Sequence, residues 1–304
     1  MRMPKDVPEM LMNQLLPELA AVISGTDTAG LQEIRLRVGQ PARLRMPGGE
    51  QTLPLVWTGD LQQRQLMRLL DNSVYAYEEQ LKQGFITLVG GHRVGLVGEA
   101  WYDEGRLGGF RDICSLNVRV AREVIGPAAP FWPWVIAGGR VMRTLLAAPP
   151  GAGKTTLLRD MVRQLSDGLA GIAPLNVGVA DERMELGAVC GGTAQLDLGS
   201  RTDIISACDK ARAVEILLRS MGPQLVVTDE IGSAADTQAL LNALNAGVGV
   251  LASAHAANYD ELSARPHLSG LVTSGFFERI IFPVRRGEGL CPGAVYDGQG
   301  VRLI

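Results

Sequence analysis

Glycine, lysine and threonine come together in a short segment with the sequence Pro-Pro-Gly-Ala-Gly-Lys-Thr-Thr, residues 149–156. Glycines let the backbone wrap a polyphosphate, so that successive N–H groups and a helix N-terminus point at its negative charge. Lys154 is placed to reach the β- and γ-phosphates, and the Thr155 hydroxyl is placed to ligate Mg²⁺. The segment therefore predicts a loop that binds ATP with Mg²⁺. Its predicted binding residues are Pro150, Gly151, Ala152, Gly153, Lys154, Thr155 and Thr156.

The loop departs from the usual phosphate-loop pattern at one position. A glycine usually stands six residues before the lysine, and Ala148 stands there in this chain. Alanine fits only where the backbone avoids the dihedral angles that glycine alone adopts easily. Because Gly151, Gly153 and Lys154 are all present, the prediction of a phosphate loop is retained.

A second candidate group is the carboxylate pair Asp229-Glu230, which follows the apolar run Leu225–Thr228. A buried strand that ends in two carboxylates suits a Walker B site. There Asp229 holds Mg²⁺ through its water shell, and Glu230 polarises the attacking water. The same pair also occurs at ordinary solvated strand ends. Its position after a phosphate loop in an α/β segment favours the functional interpretation, and we predict an Mg²⁺-dependent ATPase.

Two further candidate catalytic residues stand at the ends of predicted strands. Glu182 follows the run Asn176–Ala180, where a carboxylate would face the nucleotide crevice. It could activate water or order the metal shell, and a plain solvated loop is the alternative. His255 ends the run that begins at Gly249 and is one of three histidines in the chain. We predict that it senses the γ-phosphate, with a structural role as the alternative.

Arginine is the remaining residue type that this chemistry requires. ATPases that work as rings commonly borrow an arginine from a neighbouring subunit to stabilise charge on the transferred phosphoryl group. The sequence does not rank the candidates, and we carry Arg201 and Arg119 forward as predicted catalytic residues. The four candidates are Arg201, Arg183, Arg119 and Arg111.

From Arg143 onward, short apolar strands alternate with helical stretches such as 155–165 and 211–221. Near-continuous apolar runs are typical of strands buried on both faces of a parallel sheet. The alternation predicts α/β architecture with a parallel-rich sheet. The four runs are Thr144–Ala148, Asn176–Ala180, Gln224–Thr228 and Gly249–Ser253.

The first part of the chain has a different pattern of polar and apolar residues, which is typical of a smaller α+β domain. Polar and apolar residues alternate over 32–38 and 115–121, which predicts strands. Helices are predicted over 61–70 and 75–83, and two apolar runs around Gly90-Gly91 predict a β-hairpin. We therefore predict an N-terminal α+β domain over residues 1–138 and an ATPase domain over residues 139–304.

Composition narrows the class of protein. The net charge of −3 argues against a protein that grips nucleic acid electrostatically. The four cysteines are far apart without a CxxC pair, so neither a zinc site nor a disulfide framework is expected. No signal peptide and no apolar stretch of about 18 residues is recognised. We expect a cytoplasmic protein, and peripheral attachment to a membrane partner stays open.

With these residues in place, the chain resembles the stage III sporulation protein AA family, ATPases related to the secretion and type IV pilus motor ATPases. The resemblance covers nearly the whole chain and rests on an ordered set of motifs. These are Glu33–Arg37 with Gly39–Pro41, Gly84–Thr87, Gly91–Leu96, Asn117–Glu123, the phosphate loop through Asp160, Asp181–Arg183, Arg201–Asp203 and Asp229–Gly232.

The resemblance implies a motor that energises a secretion-like channel complex across the two membranes around the forespore. It implies an N-terminal domain that precedes a RecA-like ATPase domain, assembled as a homohexamer on the mother-cell side with membrane components as partners. Asp181-Glu182 would match the aspartate box of the motors, His255 their histidine box and Glu230 their Walker B glutamate. The match is loose, because the motors usually carry Gly-Glu where this chain has Asp229-Glu230. No tetracysteine zinc module is present either.

Two other functions remain open from the sequence. A RecA-like ATPase whose first domain binds single-stranded nucleic acid is the main alternative, since small α+β domains with a glycine-bearing loop can clamp a nucleotide backbone. Balanced charge and scarce aromatic residues disfavour it, and nucleic acid is not an expected partner. A nucleotide-dependent scaffold with negligible turnover is the third possibility.

Overall fold

The computed structural model describes residues 8–70, 77–103, 105–169, 171–287 and 289–304. The chain divides into two compact units. The first contains the residues up to Arg122 together with Ala188–Gln195, and the second contains Glu123–Gly187 and Leu196–Ile304. Residues 123–138 thus group with the second unit. The predicted limits 1–138 and 139–304 stay a prediction.

The first unit is built around an antiparallel sheet with the strand order β3-β2-β1-β6-β5-β4. Its strands are β1 (Glu33–Arg37), β2 (Gln40–Met46), β3 (Gly49–Trp57), β4 (Phe85–Thr87), β5 (Arg93–Asp103) and β6 (Arg106–Arg119). Its helices are α1 (Glu9–Met12), α2 (Pro17–Ser24), α3 (Gly59–Leu69) and α4 (Glu78–Lys82).

Most elements predicted for this part of the chain are present in it. Alternation over 32–38 produces β1, whose residues Ile34 and Leu36 are fully buried. The predicted hairpin is formed by β4 and β5, with Gly90 and Gly91 in the left-handed region at its turn. The helix predicted over 75–83 is observed as α4, while residues 75 and 76 lie outside the described part of the chain.

The second unit contains a mostly parallel sheet with the order β11-β10-β12-β13-β9-β14-β15. Neighbouring strands from β11 to β14 are parallel, and β15 is antiparallel to β14. The strands are β9 (Thr144–Ala147), β10 (Val177–Asp181), β11 (Thr202–Ser206), β12 (Leu225–Thr228), β13 (Gly249–Ala254), β14 (Arg279–Arg286) and β15 (Gly289–Asp297). A two-stranded ribbon of β7 (Ile136–Ala137) and β8 (Arg140–Val141) precedes them.

Among the described residues of the second unit, one helix precedes β7 in the chain and the others lie between β9 and β14. They are α5 (Trp132–Val135), which follows a 3-10 turn over Ala129–Phe131, α6 (Lys154–Asp167), α7 (Lys210–Ser220), α8 (Ala234–Asn245), α9 (Tyr259–Ser263) and α10 (Ser269–Thr273). In α6 the buried residues Leu157, Leu158, Met161 and Leu165 recur at helical spacing on one face.

The sequence predicts four strands of this sheet, β9, β10, β12 and β13, because each corresponds to a near-continuous apolar run. Every residue of β9, β10 and β12 is buried. Parallel strands all end at one edge of the sheet, so the loops after β9, β10, β12 and β13 meet there. The mixed α/β class with a parallel-rich sheet is therefore confirmed. Among the described residues, no helix has the length and apolar character that crossing a bilayer requires.

Candidate nucleotide-binding site

The phosphate loop connects β9 to α6, and two of its glycines adopt backbone angles that side chains disfavour. Gly151 has φ 73° and Gly153 has φ 94°. Gly153 is the N-cap of α6, and no side chain caps that helix. The first N–H groups of α6 are therefore available to an anion. Ala148 is not among the non-glycine residues with positive φ, which explains why alanine is tolerated there.

Lys154 is the first residue of α6 and is buried, with 4% of its surface exposed. Its ammonium donates to the carbonyl oxygens of Ala148 at 2.7 Å and Pro149 at 2.9 Å. It also donates to His255 Nδ1 at 3.0 Å. Burial lowers the pKa of Lys154, and the negative charge of Glu230 opposes that shift. The loop thus encloses a cation held close to its backbone.

Glu230 follows β12 and lies at the other end of this hydrogen-bond chain. Its Oε1 is 2.8 Å from His255 Nε2. A lysine ammonium only donates, so His255 Nδ1 accepts from Lys154 and the Nε2–H donates to Glu230. The second carboxylate oxygen of Glu230 accepts from Arg183 Nη1. The structure therefore joins Lys154, His255, Glu230 and Arg183 in one continuous polar chain.

The backbone of Glu230 is held in an unusual conformation, with φ 44°. Two groups hold it there. The N–H of Glu230 donates to the buried hydroxyl of Ser253 at 3.0 Å, and its carbonyl accepts from Lys210 Nζ at 3.2 Å. Non-glycine residues in the left-handed region cluster at functional sites, so this conformation marks Glu230 as a position that the fold constrains.

Asp229 is fully buried, and neither of its carboxylate oxygens has a hydrogen-bond partner among the described residues. Burial raises its pKa to about 7, with the neighbouring Asp181 acting in the same direction and Lys210 opposing. A buried carboxylate without a donor is costly unless a cation compensates it.

Asp229 and the predicted ligand Thr155 fit Mg²⁺ by their chemistry. Carboxylate and hydroxyl oxygens are the ligands that this ion prefers, and Thr155 supplies a hydroxyl in the first turn of α6. Within the described part of the chain, no group of three or more His, Cys, Asp or Glu could hold a metal by itself. The ion would therefore need oxygens from water or from a phosphate, as Mg²⁺ commonly does.

Asp181 and Glu182 have different surroundings, although they are adjacent in sequence. The buried Asp181 carboxylate accepts from the N–H groups of Glu185 at 2.8 Å, Leu186 at 3.1 Å and Gly187 at 2.9 Å. Glu182 is 44% exposed and pairs with Lys210 at 3.2 Å. Asp181 thus anchors the loop that follows β10, and Glu182 reaches the Glu230 backbone through Lys210.

The predicted arginines fall in different places. Arg183 contacts Glu230, as described above. Arg201 immediately precedes β11, which is parallel to β10 and aligned with it from Thr202 opposite Val177. It therefore lies at the edge of the sheet opposite the phosphate loop of its own chain. Arg119 is an exposed residue at the end of β6, 3.9 Å from Glu33.

Two contributing residues had no assigned role in the sequence. Lys210 is the first residue of α7, and its side chain contacts Glu182 after β10. A lysine in a predicted helix gives no indication in the sequence of such a contact. Ser253 lies two residues before His255. Its hydroxyl accepts from the backbone N–H of Glu230, and the sequence does not show that these two groups are close.

The sheet order defines a protein of mixed α/β class with a parallel-rich sheet, and a glycine-rich loop lies at the carboxyl edge of that sheet. The structure is similar to the ATPase DotB of Legionella pneumophila, with a TM-score of 0.60 and 15% identity, covering 97% of this chain and 83% of that one. It is also similar to the pilus retraction motor PilT with bound ADP, with a TM-score of 0.56 and 17% identity over 88% of this chain and 78% of that one. At these identities the likeness is one of fold.

The sequence comparisons are more specific. The family model for sporulation stage III, protein AA matches residues 8–303. The stage III sporulation protein AA of Bacillus subtilis (strain 168) is 40% identical over 273 residues, which covers 89% of this chain and 88% of that protein. The chain belongs to the sporulation stage III protein AA family.

Proposed function

We propose that this chain is an ATP-hydrolysing motor ATPase of the secretion ATPase superfamily that serves endospore formation. The observation that carries the proposal is the hydrogen-bond chain from Lys154 through His255 to Glu230, next to a glycine-rich phosphate loop. Family membership supports the role in sporulation. The shared fold of DotB and PilT supports the motor class.

The phosphate loop performs the binding step. Backbone N–H groups from Gly151 to Thr156 surround the α- and β-phosphates, and Lys154 pairs with the β- and γ-phosphates. Mg²⁺, held by Thr155 and Asp229, supplies positive charge to the phosphate oxygens when it is bound. A cation beside Asp229 also stabilises the ionised form of this buried carboxylate.

Glu230 acts as the group that receives a proton from the attacking water. The His255 Nε2–H holds one of its oxygens in place, while the other pairs with Arg183. Arg183 is 54% exposed. The guanidinium of Arg183 is therefore open to water, which would solvate it when it releases this oxygen. His255 is then the positioning residue, and Glu182 supports Glu230 indirectly through Lys210.

The assembly is proposed on the same family basis. The second unit would be a RecA-like ATPase domain, preceded by a smaller α+β N-terminal domain, and the chain would form a homohexamer. The hexamer would work in the mother-cell cytoplasm, attached to membrane components of a secretion-like complex. In this arrangement Arg201 or Arg119 of one subunit would act on the nucleotide of the next.

Replacing Glu230 by glutamine tests the proposed hydrolysis directly. Glu230→Gln keeps the shape and the His255 contact but removes the proton acceptor, so phosphate release should fall by about 10²–10⁴-fold. ATP binding, measured by isothermal titration calorimetry, should change little.

Glu215→Gln is the matched control for this experiment. Glu215 is a partly exposed glutamate on α7 that pairs with Arg212 and Arg219, away from the site. Its replacement should leave phosphate release unchanged. A native protein that binds ATP without releasing phosphate would overturn the motor and favour a nucleotide-dependent scaffold.

A further inference from the structure

The β14–β15 hairpin extends beyond the sheet on the side where the phosphate loop begins. β14 pairs with β9 only as far as Ile281 opposite Leu146, and β9 ends at Ala147. β14 nevertheless continues to Arg286, and its register shifts between Phe282 and Pro283. The four residue-to-residue steps from Ile281 to Arg285 span roughly 13 Å in an extended strand. The carboxyl end of β14 and the start of β15 therefore lie beside the phosphate loop.

Two residues of the hairpin contact the loop at Gly153. A Cβ placed on Gly153 would lie 3.1 Å from Leu290 Cδ1 and 3.8 Å from Arg285 Nη2. Arg285 and Leu290 stand opposite each other in the hairpin. Leu290 is 8% exposed, so its side chain is packed in place. The Arg285 guanidinium thus lies next to the loop residue that precedes Lys154.

Arg285 is exposed and, in the part of the chain that the structure describes, no carboxylate lies within 4.0 Å of it. Two other arginines of this unit have a carboxylate partner. Arg183 pairs with Glu230, and Arg163 pairs with Asp160 at 2.7 Å. Because Arg285 has no carboxylate partner among the described residues and lies beside a glycine-rich loop, a phosphate group would complement its charge.

Lys154 and Arg285 lie on different sides of the phosphate loop, towards the two strands that flank β9 in the sheet. Lys154 contacts His255, which follows β13, whereas Arg285 belongs to β14 on the other side of β9. Lys154 and Glu230 mark the end of the site where the γ-phosphate is transferred. The backbone around Gly153 is the part of such loops that holds the α- and β-phosphates.

We propose that Arg285 binds the α- or β-phosphate of a nucleoside di- or triphosphate in its own subunit. The inference rests on the proposed nucleotide binding. Arg285 would contact phosphates that remain on the product, so it stabilises bound ADP and bound ATP equally. Its contribution is to binding and leaves the rate of the chemical step unchanged.

Arg285→Gln tests this assignment. A charge-assisted hydrogen bond at a partly exposed site predicts a loss of about 10-fold in affinity for ADP and for ATP alike. Calorimetric titration with ADP, and with ATP on the Glu230→Gln background, measures both constants. The kcat for phosphate release should stay within about 2-fold of the native value while KM rises. Arg285→Lys keeps the charge and should lose less affinity than Arg285→Gln.

Arg286→Gln is the matched control, because the next residue of a strand points to the opposite face. It should leave the ADP affinity unchanged. Unchanged ADP affinity in Arg285→Gln would overturn the inference, and so would a fall in kcat alone or an equal loss in Arg286→Gln. Two other results would contradict the proposed function itself. One is a native protein that binds no ADP, and the other is a Lys154→Ala variant that binds ADP as tightly as the native protein.

Discussion

At the scale of single residues, the site consists of groups whose neighbours determine what they can do. Lys154 can only donate, and this decides which nitrogen of His255 carries the proton that reaches Glu230. Asp229 has no donor among the described residues, and burial raises its pKa to about 7. The adjacent carboxylates of Asp229 and Glu230 thus differ in their surroundings. Glu230 is hydrogen-bonded, whereas Asp229 is buried without a donor among the described residues.

A residue of the first unit provides a pH-dependent test of stability. His92 is buried, its Nδ1 accepts from the Ala121 N–H at 3.0 Å, and burial lowers its pKa from 6.5 to about 4. Between these values the unfolded chain binds the proton and the folded chain does not. The contribution of His92 to stability is therefore present above pH 6.5 and is lost as the pH falls towards 4.

The expected size follows from the two pKa values. At a pH of about 4.5, His92 should lower the free energy of unfolding by about 2.5 kcal/mol relative to neutral pH. Urea denaturation of the native protein and of His92→Asn measures it, since the asparagine oxygen can still accept from Ala121 but does not titrate. Equal pH dependence in the two proteins would show that His92 titrates normally in the fold.

At the scale of elements, the loops at the carboxyl edge of the sheet are held by side chains buried beneath them. The Asp181 carboxylate accepts hydrogen bonds from three N–H groups of the loop that follows β10. Arg159 of α6 donates to the carbonyl oxygens of Glu185 and Leu186 in the same loop. This loop carries Arg183, which contacts Glu230. The position of Arg183 therefore depends on a buried carboxylate that does not touch Glu230 itself.

Asp181→Ala should free this loop. It leaves three N–H groups without their acceptor and should reduce the free energy of unfolding by about 3 kcal/mol. Hydrogen exchange of the amides of Glu185, Leu186 and Gly187 should accelerate strongly. Asp203→Ala, on the neighbouring edge strand β11, is the control and should cost less than about 0.5 kcal/mol. Full protection of the three amides in Asp181→Ala would refute the anchoring role.

At the scale of the whole molecule, charge and strand order bear on assembly. The net charge of −3 argues against a protein whose main task is to grip nucleic acid electrostatically. Arg201 precedes β11, so about five residues of strand, or roughly 16 Å, separate it from the carboxyl edge of the sheet. If Arg201 takes part in hydrolysis, it must act on the site of a neighbouring subunit.

Mixing two inactive variants tests this arrangement. Lys154→Ala subunits keep Arg201 but lack a working phosphate loop, and Arg201→Ala subunits have the reverse defect. In an equal mixture of the proposed homohexamer, about one quarter of the subunit contacts pair an intact loop with an intact arginine. Phosphate release should reappear at up to that fraction of the native rate.

The same mixture made with Arg119→Ala in place of Arg201→Ala shows which arginine acts between subunits. Recovery in that mixture alone would assign the role to Arg119. An Arg201→Ala protein that is fully active without any mixing would remove Arg201 from the mechanism. Mass measurement of the native protein with ATP gives the number of subunits.

Local patterns in the sequence determine the phosphate loop, the buried parallel strands and the carboxylates at their ends. A glycine at a tight turn and a strand that is apolar along its whole length each depend on a few neighbouring residues. Gly151 and Gly153 adopt the left-handed conformation that a tight loop requires, and β9, β10 and β12 are buried as predicted. Those residues alone predict the class of site.

Tertiary structure decides which distant residues meet. His255 contacts Lys154, 101 positions earlier in the chain, because β13 and β9 are neighbours in the sheet. Lys210 meets Glu182 and Glu230 because α7 begins beside the ends of β10 and β12. Arg285 reaches the phosphate loop because β14 pairs with β9 and extends past it. Strand order is a property of the whole packed core, which is why no local pattern of residues predicts these contacts.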